Sequence, residues 1–195
     1  MKVLTKKVTK LLAAALMATL LAVGLTACGG KSNEDVIREG VTADFASVKN
    51  FDADSPSEAF GDLSSITEFE QFGITPQEFL GSWLKGFDYK IGDITVDGDN
   101  ATVKASVTIK SFGDAMTSFQ DKVTELSKDP DIQGMSQSEA YEKMGGILME
   151  CIDEAPLTTT DVELPYVLNN NEWGPGADFN SKLGGALYGD AFGAL

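Results

Sequence analysis

Between residues 34 and 50, apolar Ile37, Val41, Phe45 and Val48 return every three or four residues. That is the spacing of one helix face, and Ser32 or Asn33 can cap its start. Residues 51–65, rich in Asp, Ser and Gly around Pro56, read as a loop with one helical turn near Phe60. Ile66, Phe69 and Phe72 follow as a short apolar segment. Thr75, Pro76 and Glu78 then supply an N-cap, a first-turn proline and a capping box. They open a helix with a wide apolar stripe of Phe79, Leu80, Trp83, Leu84 and Phe87.

From Tyr89 the period changes to two. Tyr89–Val96 and Ala101–Lys110 predict a hairpin across Asp97-Gly98-Asp99-Asn100. In its second strand Ala101, Val103, Ala105, Val107 and Ile109 face one way; Thr102, Lys104, Ser106, Thr108 and Lys110 face the other. Helical spacing returns near residues 113–128 (Met116, Phe119, Val123, Leu126) and at 136–153 (Ala140, Met144, Ile147, Leu148, Cys151). Gly145-Gly146 weakens the middle of the second of these by about 1 kcal/mol per glycine. Thr158–Leu168 predicts a long strand with Val162, Leu164, Tyr166 and Leu168 on one face, and Pro165 implies an edge position or a bulge. Asn169-Asn170-Asn171 is a turn, Trp173 starts a short strand cut off by Gly174-Pro175-Gly176, and Phe179–Tyr188 suits a helical turn or two. Helices in blocks beside antiparallel strands give an α+β class.

The N-terminus is a different kind of segment. Lys2, Lys6, Lys7 and Lys10 precede the charge-free stretch Leu11–Leu25, the layout of an export signal. It ends in Leu25-Thr26-Ala27-Cys28-Gly29, which resembles the lipobox of bacterial lipoproteins. The resemblance implies cleavage between Ala27 and Cys28 and a diacylglyceryl thioether on Cys28, two acyl chains being enough for stable anchoring. The expected organisation is a signal peptide at 1–27, a lipidated cysteine and linker at 28–33, and one domain at 34–195. An uncleaved anchor is the alternative, since Leu11–Gly30 is charge-free and just long enough to span a bilayer. Either way residues 31–195 lie outside the cytoplasmic membrane, on its extracytoplasmic face.

Composition narrows the chemistry. Of 195 residues, 168 follow the leader, enough for one compact domain. The leader's four lysines leave 11 basic against 30 acidic residues beyond it, net −19. That charge repels phosphate backbones, so nucleic acid is not an expected partner. There is no His, and there are two cysteines. His-based catalysis, His-ligated metals and thiolate zinc sites are therefore excluded, and no cofactor is expected. Asp93-Ile-Thr-Val-Asp97-Gly98-Asp99 lacks the closing Glu of a calcium loop and reads as a hairpin turn, so no metal is expected. Cys151, the lone thiol once Cys28 is lipidated, reads as a buried inert cysteine.

The N-terminal helix, the Phe79–Phe87 stripe feeding Tyr89, the Asp97-Gly98-Asp99 hairpin and Val162-x-Leu-x-Tyr followed by Asn-Glu-Trp173 together resemble the nuclear transport factor 2-like (cystatin-like) superfamily. The resemblance implies N-terminal helices packed on a curved antiparallel sheet of about four strands, closed as a cone. The helices between the two hairpins read as an insertion. Some relatives of that kind are isomerases or dehydratases; many are non-catalytic binding modules, and fold alone does not choose. Trp83, Phe87, Tyr89, Tyr141, Tyr166 and Trp173 are the candidate lining of an aromatic pocket, or else core. No catalytic residue is assigned. The leading expectation is a membrane-anchored lipoprotein that holds lipid through Cys28 and binds a small ligand or an envelope protein. The alternatives are an isomerase or hydrolase using a cavity carboxylate, with Asp93 and Glu163 as candidates, or a structural envelope protein.

Overall fold

A computed structural model describes residues 31–51, 70–128 and 134–188. Helix α1 (Asn33–Lys49) starts at Ser32, whose hydroxyl accepts from the Asp35 amide while the Asp35 carboxylate accepts from the Ser32 amide. Its buried face is Ile37, Val41, Phe45 and Val48, the set that helical spacing selects. Helix α2 (Pro76–Trp83) has the same reciprocal cap between Thr75 and Glu78. The hydrogen bond from the Thr75 amide, then that from its hydroxyl, holds the Glu78 carboxyl below its ordinary range. The helical turn expected near Phe60 lies outside the described residues.

The strands are β1 (Asp88–Asp97), β2 (Asn100–Lys110), β3 (Leu157–Asn169) and β4 (Glu172–Pro175), in the order β1-β2-β3-β4. All neighbours are antiparallel. Gly98, at φ 58°, turns the first hairpin. Asn170 and Asn171, both left-handed, turn the last, the pattern a tight two-residue hairpin demands. Between β2 and β3 the chain leaves the sheet for helices α3 (Phe112–Leu126) and α4 (Gln137–Glu154). The excursion is closed at its base by the Ser111 amide donating to Pro156 O at 2.8 Å. The last described element is helix α5 (Phe179–Tyr188), ten residues long where a turn or two was expected.

One expectation is overturned. The sheet is not strongly curled, so it is an open layer and not the curved wall of a cone. Sheets bend sharply where bulges interrupt pairing. The β2–β3 ladder runs unbroken from Asn100↔Val167 to Lys110↔Leu157. Among the described pairings the register slips once, in β1, where Gly92 and Asp93 together oppose Lys104.

Pro165 is not bulged but holds an edge position: β4 pairs only with Tyr166–Asn169, so from Pro165 back to Leu157 the side of β3 away from β2 has no strand partner among the described residues. Its carbonyl accepts from the Gly176 amide at 2.9 Å, one residue past the end of β4. The missing proline N–H therefore faces the end of β4, where the sheet has no further ladder bond to lose.

The helices cover one face of the sheet. Phe45 of α1 stacks on Tyr89 at 5.2 Å, and the Tyr89 hydroxyl donates to Thr42 O at 3.2 Å. Phe179 of α5 meets Tyr166 edge-on at 5.3 Å. Val103, Val107 and Leu164 lie fully buried between these layers. Burial of such side chains is worth about 1.5–3 kcal/mol each. In α3 only Phe112 and Ala115 are fully buried; Met116, Phe119, Val123 and Leu126 are half-buried. Lys122 ties α3 to α4 through Glu150 at 3.0 Å and Glu154 at 3.2 Å.

Candidate functional site

Strand alternation builds the site. Every second side chain of β1, β2 and β3 points away from the helices. The pairing sets Lys90, Ser106 and Asp161 in one row across three strands, and sets Lys104 opposite Glu163 in the next. The residues on either side of these rows are Thr108 with Thr159, whose hydroxyls lie 2.7 Å apart, and Thr102 with Pro165. No described helix covers these two rows; α4 reaches this face only at the end of β2, where Ile152 and Asp153 meet Lys110. The bulge at Gly92 and Asp93 displaces β1 beside Lys104, and a concavity of about 500 Å³ opens over Lys90, Lys104, Ser106, Asp161 and Glu163. Its floor is shared by Gly92, Ala105 and Val162.

The charges on this face are held apart. Asp161 accepts from Ser106 Oγ at 2.6 Å. Among the described residues neither Lys90 nor Lys104 makes an ion pair, although Glu163 stands directly across from Lys104. Among the residues lining the concavity, basic charge thus lies on β1 and β2 and acidic charge on β3, while exposed Asp93 stands beside it in the bulge of β1. On the edge strand, Arg38 reaches from α1 and donates to the Gly92 carbonyl at 2.9 Å, which occupies an edge group that the bulge leaves without a strand partner.

The six aromatic candidates fall into separate groups on the helical side. Trp83 is 1% exposed and stacks on Tyr188 at 4.9 Å. Phe87 and Tyr89 meet each other at 6.4 Å, and both meet Phe45. Tyr141, on α4, meets Phe72 at 5.2 Å. Tyr166 packs on Phe179, and Trp173 pairs with Leu168 at the other edge of the sheet. The indole nitrogens of Trp83 and Trp173 are buried with no hydrogen-bond partner among the described residues. Asp93 and Glu163 are both exposed, Asp93 in the bulge and Glu163 on the outer face. Ala27 and Cys28 lie outside the described residues. Cys151 is buried, with its thiol 3.6 Å from Ser118 Oγ.

The carboxylate with an unusual environment is one that the sequence reading passed over. Asp44 sits on α1 between Val41 and Val48, three and four residues from each, which places it beside the buried face. Burial pushes its carboxyl up to about 6. Its side chain makes no hydrogen bond or ion pair among the described residues. Burial, and then the Asp44 charge, push the Tyr166 hydroxyl upward as well. An acid at that spacing in an amphipathic helix is the signal that points to it.

Among the described residues no group of three or more potential ligands could hold a metal ion. No described helix is long and apolar enough to cross a membrane.

No family model matches the chain, and no curated protein does. A crystal structure of a "putative lipoprotein" from Bacillus subtilis subsp. subtilis str. 168 is similar, with 16% identity and a TM-score of 0.45. The likeness covers 92% of this chain and 55% of that one, so the chain spans about half that protein's length. A likeness at this level carries neither family nor function to the chain.

Proposed function

We propose that the chain is a lipoprotein anchored through Cys28 on the extracytoplasmic face of the membrane, and that its folded part is a non-catalytic binding domain engaging a ligand or envelope partner through the outer face of the sheet. The leader motif supports the anchor. The observation that carries the binding role is the open, charged concavity over Lys104 and Glu163, on rows that no described helix covers. Such a surface suits a polar partner held from one side better than a substrate enclosed away from water.

Asp44 favours a second reading, an enzyme of the isomerase or hydrolase kind. A carboxyl pushed to about 6 by burial is poised for general-base work near neutral pH. Asp44 belongs to the helical side and not to the concavity, so this reading needs a substrate to enter beneath α1.

Two measurements test the leading proposal. Cys28→Ser should abolish labelling by a fatty-acid analogue and release the protein from membranes; unchanged labelling would overturn the anchor. For the binding face, a membrane-impermeant amine reagent is applied to intact cells and to the purified lipoprotein. Lys90 and Lys104 should react several-fold more slowly in cells, while exposed Lys143 on α4 reacts equally in both. Equal rates at all three would overturn the binding role of the outer face.

A further inference from the structure

The pattern of charge on the outer face narrows the chemistry of what it holds; this step rests on the outer face being the binding surface. In the lining of the concavity, two lysines that make no ion pair among the described residues lie on β1 and β2, and two carboxylates lie on β3, in an otherwise acidic protein. A polyanion would meet Asp161 and Glu163, and a simple cation would meet Lys90 and Lys104. An uncharged ligand would cover four charged groups without pairing them, a costly desolvation. A molecule carrying one charge of each sign satisfies both halves at once.

The register also gives a length. Neighbouring strands lie about 5 Å apart, so the Lys104–Glu163 step is about 5 Å and the Lys90–Asp161 step about 10 Å. An extended peptide gains about 3.4 Å per residue, so the two termini of a dipeptide or tripeptide match that window. We propose that the concavity over Lys90, Lys104, Asp161 and Glu163 binds a short zwitterionic peptide lying across the strands, its terminal carboxylate on the lysines of β1 and β2 and its terminal ammonium on the acids of β3. Ser106 stands between the two ends and keeps Asp161 oriented through its 2.6 Å hydrogen bond. The bulge at Gly92 makes room beside Lys104. Arg38 takes no part, since its guanidinium is engaged with the Gly92 carbonyl at the sheet edge.

The test uses the full lipidated chain in detergent micelles and trialanine as the probe, with affinity read from ligand-observed NMR. Trialanine should bind, and binding should weaken with added salt. Trialanine amide, which lacks the carboxylate, and N-acetyl-trialanine, which lacks the ammonium, should each bind at least about tenfold more weakly, the loss of one charge pairing. Lys90→Gln and Lys104→Gln together should weaken trialanine by a similar factor but leave trialanine amide unchanged. Asp161→Asn with Glu163→Gln should do the reverse, sparing N-acetyl-trialanine. All four positions are solvent-facing, so these variants keep the core intact. No binding of trialanine, equal binding of the blocked peptides, or variants that weaken free and blocked peptides alike would overturn the proposal. If that happens while Lys90 and Lys104 remain protected in cells, the binding face stands and the peptide chemistry falls. If protection in cells is also absent, the binding face falls too.

Discussion

The ammonium of Lys110 lies 2.8 Å from the carbonyl oxygen of Ile152 and 2.9 Å from that of Asp153, at the C-terminus of α4. Lys110 closes β2 on the same side as Lys104, yet it is 5% exposed, because the end of α4 folds over it. Its charge meets the negative end of the helix, where the Ile152 carbonyl also accepts from the Ala155 amide at 3.3 Å and Lys110 is the partner of the Asp153 carbonyl. The Asp153 carboxylate, 3.5 Å away, accepts from Ser82 Oγ at 2.7 Å and ties α2 into the same cluster. The Ser82 hydrogen bond, and then the Lys110 charge, hold that carboxyl low. Lys110→Met should cost about 1–3 kcal/mol in denaturant unfolding, the penalty for leaving the Asp153 carbonyl without its partner and removing the charge from the helix end. A loss under about 0.5 kcal/mol would show that water replaces the lysine.

The paired glycines of α4 should respond in opposite directions. A Cβ on Gly145 would collide with the Phe72 carbonyl oxygen, whereas one on Gly146 meets nothing. Gly145→Ala should therefore destabilise by about 1–3 kcal/mol, since backbone cannot move aside cheaply. Gly146→Ala should stabilise by about 0.5–1 kcal/mol through helix propensity. Two thermal melts decide it, and a stable Gly145→Ala would show that α4 does not abut Phe72.

Asp44 gives a pH signature. Its carboxyl titrates near 6 in the folded chain, above the ordinary value of 3.8, so folding favours the protonated form. The stability it contributes is complete below about pH 4 and is lost as pH rises through 6. Asp44→Asn should therefore raise the melting temperature at pH 7.5 and leave it unchanged at pH 4. After allowance for solvent around a partly exposed group, the gain is on the order of 1 kcal/mol. An equal effect at both pH values would mean that the charge is not what burial penalises.

Cys151 should be silent to thiol reagents in the folded protein. At 1% exposure, its reaction with a disulfide reagent should run about a hundredfold slower than in denaturant. Comparable rates would indicate that α3 swings away from α4.

Much of the architecture was legible because local chemistry and tertiary packing agree. The capping box at Thr75 and the apolar sets of α1 and β2 all recur in the fold. What escaped were relations between distant segments. Nothing near Gly145 in sequence announces that Phe72 will press on it. Alternation sends Lys110 outward with Lys104, and only the path of α4 makes it a buried cap. The lack of strong curl in the sheet goes with an uninterrupted β2–β3 ladder, which a single strand pattern does not reveal. The candidate site was half visible: Lys104, Ser106 and Glu163 fall on the outer face by parity, and Gly92 inside a strand is itself a bulge signal. The register that brings Lys90 and Asp161 into one row is not a local property.

The helical excursion between β2 and β3 bears on how the chain reaches this state. Lys110 and Leu157 are partners in the ladder, yet both α3 and α4 lie between them. Joining them directly means closing one long loop against its entropy. If α3 and α4 first collapse on each other, the ends arrive already side by side, and the ladder can zip from Lys110 toward Asn100. The helical hairpin then acts as a kinetic clasp, and changes in it should alter the rate of sheet formation before they alter the finished sheet.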